Sequence, residues 1–160
     1  MSDRAYASIK IGGKISRSDL KALLDAAEND GAGGPDYESV DREALEEIAE
    51  ETSAAKLPLY FGAAEMRGAM FDELEEECCN LGLTYLRHSE AYPGSWDDTL
   101  EFWEPGMAKD EVIEYACSSD GEPMLSLSQL EDATAHSTLM TRLAEMRRIA
   151  TFPFVFEIVG

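Results

Sequence analysis

The sequence predicts an α+β fold: a single domain in which about four helices cover a mainly antiparallel sheet. Three observations lead there. Some segments alternate apolar and polar residues with the period of two that strands show, and others repeat apolar residues at helical spacing. The two kinds follow one another without the regular strand–helix–strand repetition of a parallel sheet. No internal repeat suggests a solenoid, and 160 residues suit one domain spanning 1–160, which would bury roughly two-thirds of its unfolded surface.

Taken in order, Tyr6 to Ile11 places Ala7, Ile9 and Ile11 on one face and Tyr6, Ser8 and Lys10 on the other, the pattern of a half-buried strand. Gly12-Gly13 is expected to end it, and Ser16 to cap a helix carrying Leu20, Leu23, Leu24 and Ala27 on one side. The Gly-rich stretch 29–37 reads as a flexible loop. A second helix over 41–52 buries Ala44, Leu45 and Ile48. Leu57 to Ala63 follows as a strand with Leu57, Leu59 and Phe61 inward, and Pro58 assigns it to an edge or to a strand start. A third helix over 69–81 presents Phe71, Leu74, Cys78 and Leu81, with Gly82 suited to the residue just past its end.

Strands are then expected at 83–88 and 99–103, joined through Tyr92-Pro93-Gly94-Ser95. A hairpin around Asp120-Gly121 joins 112–117 to 124–127. Ser128-Gln129-Leu130-Glu131 has the form of a capping box and opens one long helix with Leu139, Leu143, Met146 and Ile149 or Ala150 inward. Phe152 to Val159 closes the chain as an apolar strand, predicted to share the sheet with the Ile9/Ile11 and Leu59/Phe61 strands under the first, third and last helices.

Charge is the dominant compositional feature. Twenty-eight of the 33 acidic residues lie between Glu28 and Asp132, where only five basic residues accompany them; that segment carries −23 of a chain whose net charge is −20. Both ends are mildly basic. Hydrophobic content of 44% is ordinary for a globular domain, so the acidity is no sign of disorder. Nucleic acid and anionic membrane are disfavoured as direct partners because both are negative. Three cysteines, two of them the adjacent Cys78 and Cys79, make a poor disulfide framework and point to a reducing, cytoplasmic compartment. The N-terminal stretch has no long apolar run, and no segment has the length and apolarity of a membrane-spanning helix.

Short strings that suggest chemistry are incomplete. Gly12-Gly13-Lys14 lacks the glycine a phosphate loop needs at position 8, where Ser8 stands, and the hydroxyl it needs at Ile15. No nucleotide or other cofactor is therefore expected. His88 and His136 are the two histidines, and neither has a cysteine or second histidine at ligand spacing, so no metal is expected. His88 with Cys117 is a conceivable base and nucleophile, without a Gly-x-Ser-x-Gly elbow or similar support. No catalytic residue is assigned. With so many acids, carboxylate pairs arise by chance, and their spacing in space is not legible.

The acids themselves are patterned. Glu43, Glu46, Glu47, Glu50 and Glu51 recur at helical spacing opposite Leu45 and Ile48. They span about 12 Å of helix, roughly one charge per 3 Å, close to the phosphate spacing of about 3.4 Å along one DNA strand. Asp72, Glu73, Glu75, Glu76 and Glu77 are expected to crowd the solvent side of the third helix. Asp97, Asp98, Glu101 and Glu104 interleave with Trp96, Phe102 and Trp103. Like charges at this spacing cost a few tenths of a kcal/mol each, which suggests the charge is used, although a solubilising face or a salt-adapted proteome would also produce it.

No motif carries a specific family. In size and composition the chain is similar to two loose groups of bacterial or phage antagonists, polyanionic DNA mimics that block restriction or CRISPR nucleases and small immunity proteins that neutralise a toxin. That likeness implies an acidic, non-enzymatic inhibitor or sequestering protein of a basic, nucleic-acid-handling partner. Its binding residues would be Glu43, Glu46, Glu47, Glu50, Glu51, Asp72, Glu73, Glu76, Glu77, Trp96, Asp97, Asp98 and Glu101. One alternative is a small cytosolic enzyme with an aromatic pocket around Tyr85, His88, Tyr92, Trp96 and Trp103. Another is a structural or adaptor subunit that buries Phe152, Phe154 and Phe156 against another chain.

Overall fold

In the computed structural model, residues 4–91 and 97–160 are described. They form five helices and a seven-stranded, mainly antiparallel sheet, the α+β architecture expected from the periodicities. The first strand, β1 (Arg4–Ser16), buries Ala7, Ile9 and Ile11 completely, as their alternation requires. It does not stop at Gly12-Gly13. An added Cβ at Gly12 would lie 2.3 Å from Phe154 Cβ, so the missing side chain lets Phe154 pack onto the strand. Gly13, at φ +120°, donates its N–H to the Val155 carbonyl at 2.8 Å. These glycines mark where the strand bends and changes partners rather than where it ends.

Ser16 caps α1 (Arg17–Asn29), its Oγ accepting the Asp19 N–H at 3.2 Å. Leu20, Leu23, Leu24 and Ala27 are buried beneath it. In the Gly-rich segment that follows, Ala32, Gly33 and Gly34 are buried, and Gly33 exchanges backbone hydrogen bonds with Gly62 at 2.7 and 3.2 Å. Asp41 caps α2 (Arg42–Ala55), which buries Leu45 and Ala49. The next strand, β2 (Leu59–Arg67), starts after Pro58 at the end of the sheet path. Leu57, expected inside, is 56% exposed because it precedes the extended stretch, so the alternation does not reach it.

The third helix, α3 (Asp72–Leu81), begins three residues later than its apolar spacing suggested, and Gly82 closes it at φ 69°. Phe71 has no side-chain cap to offer. Asp30, at the end of α1, accepts the Leu74 and Glu73 N–H groups at 2.8 and 3.3 Å instead, and Glu75 accepts the Phe71 N–H at 2.8 Å. The sheet continues through β3 (Thr84–Ser89), β4 (Thr99–Trp103), β5 (Ile113–Cys117) and the two-residue β6 (Pro123–Met124). Gly121, at φ +80°, turns the hairpin. The Tyr92–Ser95 turn lies outside the described residues.

The long helix expected near the C-terminus is two. Ser126 and Gln129, not Ser128 and Glu131, form the capping box that opens α4 (Leu127–Ala135). Ser137 then breaks the run at φ 57°, and α5 (Leu139–Thr151) follows. The terminal strand is shorter than expected. Phe152 takes the left-handed conformation that ends α5, and only β7 (Phe156–Val159) pairs, parallel to β1. Strand order is β2-β1-β3-β4-β5-β6, with β7 beside β1 beyond Gly13.

Alternation across the strands separates two cores. Ile9, Ile11, Leu59, Phe61, Tyr85 and Trp103 face α1 and α3 in the larger cluster, which Leu45 and Ala49 of α2 also join. Leu86, Leu100, Phe102, Tyr115 and Cys117 face the other way, against Ile149 and Phe152. No described helix is long and apolar enough to cross a membrane.

Candidate functional site

Helix α1 packs against both α2 and α3, so the acidic segments of the sequence meet in one layer. The three helices carry thirteen acids against three bases, a net of −10 and half the charge of the chain. Glu43, Glu46, Glu47, Glu50 and Glu51 are all exposed, as their spacing predicts. The stripe is not bare, however. Arg17 of α1 pairs with Glu50 at 2.5 Å. Arg42 reaches Asp25 at 2.6 Å and both Glu28 and Glu46 at 3.4 Å. Glu43, Glu47 and Glu51 have no cationic partner among the described residues. A groove of about 600 Å³ runs between α1 and α2, with Leu20 and Leu24 among the residues lining it beside the stripe, Arg17, Lys21 and Arg42. The bases come from the N-terminal segment and from the start of α2, and their return onto the stripe depends on helix packing that periodicity does not report.

On α3, Asp72, Glu73 and Glu76 are exposed and Glu77 is half-buried. Asp72 and Glu73 occupy the first turn, where the helix dipole favours anions. Glu75 does not face solvent as expected. It is 8% exposed and bonds Arg87 through both carboxylate oxygens at 3.0 Å, while Arg87 also pairs with Glu101 at 2.6 Å. Burial raises Glu75 to about 7, against the opposing pull of Arg87 and the Phe71 N–H. The second carboxylate, Glu101, pushes the same way as burial. Glu101 is therefore a partly buried counter-ion of Arg87 rather than a free member of the acidic surface. The signal was present: Glu75 stands four residues after Phe71 and three before Cys78, on the buried stripe, and Arg87 interrupts an apolar strand.

Asp97 is exposed, but Asp98 is partly buried and also drawn inward. Its Oδ2 lies 2.9 Å from His88 Nε2, and its Oδ1 accepts the Ala91 N–H at 2.9 Å. Cys117 completes a group of three donor side chains whose ligand atoms all lie within 4.8 Å of one another. Ligand spacing in the sequence gave no sign of this group, because strand register assembles it. The thiol is pushed up to about 12, first by burial and then by Asp98, the opposite of an activated nucleophile. His88 with Cys117 is thus a poor base and nucleophile.

Among the described residues, Tyr85 and His88 do not line one pocket. Residues 85 and 88 project from opposite faces of β3, Tyr85 toward α3 and His88 toward a cavity of about 180 Å³ beside Ser8, Lys10 and Tyr60. Trp103 is buried and its Nε1 donates to the Ala108 carbonyl at 3.0 Å. Tyr92 and Trp96 lie outside the described residues. Phe152 and Phe156 are buried within the chain's own cores. Comparison with known protein families, curated proteins and solved structures finds no match to this chain.

Proposed function

We propose that this chain is a non-enzymatic inhibitor or sequestering protein of the cytoplasm. Its target is a basic protein surface that handles nucleic acid, and it binds through the outer face of the α1–α3 layer. One observation supports the reading above others. Glu43, Glu47 and Glu51 stand exposed beside a groove, without cationic partners among the described residues, while Asp72, Glu73 and Glu76 extend negative charge across the same layer. Arginine or lysine side chains of the partner are steered in by the field of the layer. They meet the carboxylates of Glu43, Glu47 and Glu51 about 6 Å apart along α2, close to two phosphate spacings of a DNA strand. The free cysteines Cys78, Cys79 and Cys117 suit a reducing compartment.

The test is competition. A partner isolated from the native host on the immobilised chain at low salt should be released by duplex DNA and by raised salt, since exposed charges are screened over about 10 Å at 0.1 M. DNA should not bind the chain itself. A partner that DNA fails to displace, and that stays bound in high salt, would contradict the reading.

A further inference from the structure

We propose that His88 Nε2, Asp98 Oδ2 and Cys117 Sγ form a three-ligand site for a divalent transition-metal cation of the zinc class. The three residues come from distant parts of the sequence, and the sheet brings them together. His88 lies on β3 opposite Leu100 of β4. Thr99 pairs with Ala116, and the next step of that ladder sets Cys117 beside Asp98, whose carbonyl accepts the Cys117 N–H at 3.2 Å. Counting in twos from Leu100 puts Asp98 on the face that also carries His88 and Cys117. Three adjacent strands thus aim an imidazole, a carboxylate and a thiol at one point.

Their donor atoms lie within 4.8 Å of one another, and tetrahedral zinc, with bonds of about 2.0–2.3 Å, needs donors roughly 3.5 Å apart. The remaining adjustment is about 1 Å. The parts are also oriented. The Ala91 N–H holds Asp98 Oδ1 and leaves Oδ2 turned to His88. Gly121 gives the other side of the ring room, since an added Cβ there would come within 3.3 Å of Nδ1. One imidazole, one thiolate and one carboxylate favour zinc or cobalt over magnesium and calcium, which take oxygen donors alone. On binding, the thiol proton passes to solvent and the imidazole carries its one proton on Nδ1, which frees the Nε2 lone pair for the metal. Two negative ligands then balance the dication, leaving no net charge in a partly buried place. A fourth position remains for water or a small anion. The site lies on the face of the sheet away from α1–α3, so it is independent of the acidic layer.

Titrating the reduced full chain with Co²⁺, in excess Mg²⁺ to occupy surface carboxylates, tests this. Thiolate-to-cobalt charge-transfer absorption should saturate at one equivalent and disappear when Zn²⁺ is added. Cys117→Ser and His88→Gln should each weaken binding by more than about 100-fold, beyond the effect typical of an outer-shell change. Cys78→Ser and Cys79→Ser should leave it unchanged. Circular dichroism of the metal-free variants, with two independent ligands replaced, separates loss of the site from loss of the fold. Cobalt binding without thiolate absorption, absorption that survives His88→Gln in a folded variant, or absorption that follows Cys78 or Cys79 would overturn the assignment.

Discussion

On one side of the sheet, α1, α2 and α3 rest on a cluster of 25 buried, described residues and carry a net charge of −10. On the other side, α5 rests on a cluster of seven, α4 packs against α5, and the two helices carry three acids against three bases. The difference teaches what each surface can tolerate. Like-charge neighbours cost a few tenths of a kcal/mol each, whereas one buried Leu or Phe contributes about 1.5–3 kcal/mol. The thick core can therefore carry unpaired acids. The thin side spends its charges on attachment. Arg148 forks onto Glu104 at 2.5 and 2.6 Å and lies 4.8 Å from the centre of the Phe154 ring, and the Tyr115 hydroxyl bonds Glu145. Leu127 and Met140 stay 71% and 74% exposed.

The largest effect should come from the ion cluster that ties α3 to the sheet. Arg87→Met leaves the buried Glu75 and the partly buried Glu101 without their cation, at a cost of about 3–5 kcal/mol. Glu75 in the folded chain titrates near 7, above its unfolded value of 4.5. Its favourable contribution is thus complete below about 4.5 and is lost as pH rises through 7. The variant should accordingly lose more stability at pH 8 than at pH 5, as measured by denaturant unfolding. An equal loss at both would mean that Glu75 stays ionised throughout.

Leu23→Ala and Met146→Ala compare the two foundations directly. Leu23 is fully buried under α1 and Met146 only partly under α5. The first should cost about 2–5 kcal/mol and the second less than about 2 kcal/mol. Amide exchange should likewise be faster in α4 and α5 than in α1. The reverse order would show that the small cluster, not the large one, limits the fold.

How much of this was legible follows the same division. Period and caps revealed the larger side, including the buried faces of β1 and α1, the Ser16 cap and the Gly82 stop, because strong local patterns coincide there with deep burial. The thin side misled. Ser126-x-x-Gln129 and Ser128-x-x-Glu131 both satisfy a capping box, and only the position of β6 decides between them. Exposure of the glutamate stripe was legible from helical spacing. Its partial neutralisation by Arg17 and Arg42 was not, since that depends on how α1 meets α2. The inward turn of Asp98 and Glu101 depends on which strands lie beside β4, which no local pattern encodes.

A smaller effect concerns the unpaired acids. Replacing Glu43, Glu47 and Glu51 with Gln should leave stability unchanged or raise it by a few tenths of a kcal/mol. It should also flatten the rise of Tm with added salt. A clear loss of Tm would mean these side chains have cationic partners after all.

Binding by each layer's charge variants decides the central claim. Affinity for the isolated partner should be measured across a salt series for the wild-type chain, for Glu43→Lys/Glu47→Lys/Glu51→Lys and for Arg142→Glu/Arg147→Glu, each shown to be folded. The α2 variant should lose affinity and most of its salt dependence, chiefly through the association rate, while the α5 variant binds as the wild type does. Unchanged binding by the α2 variant together with loss in the α5 variant would contradict it.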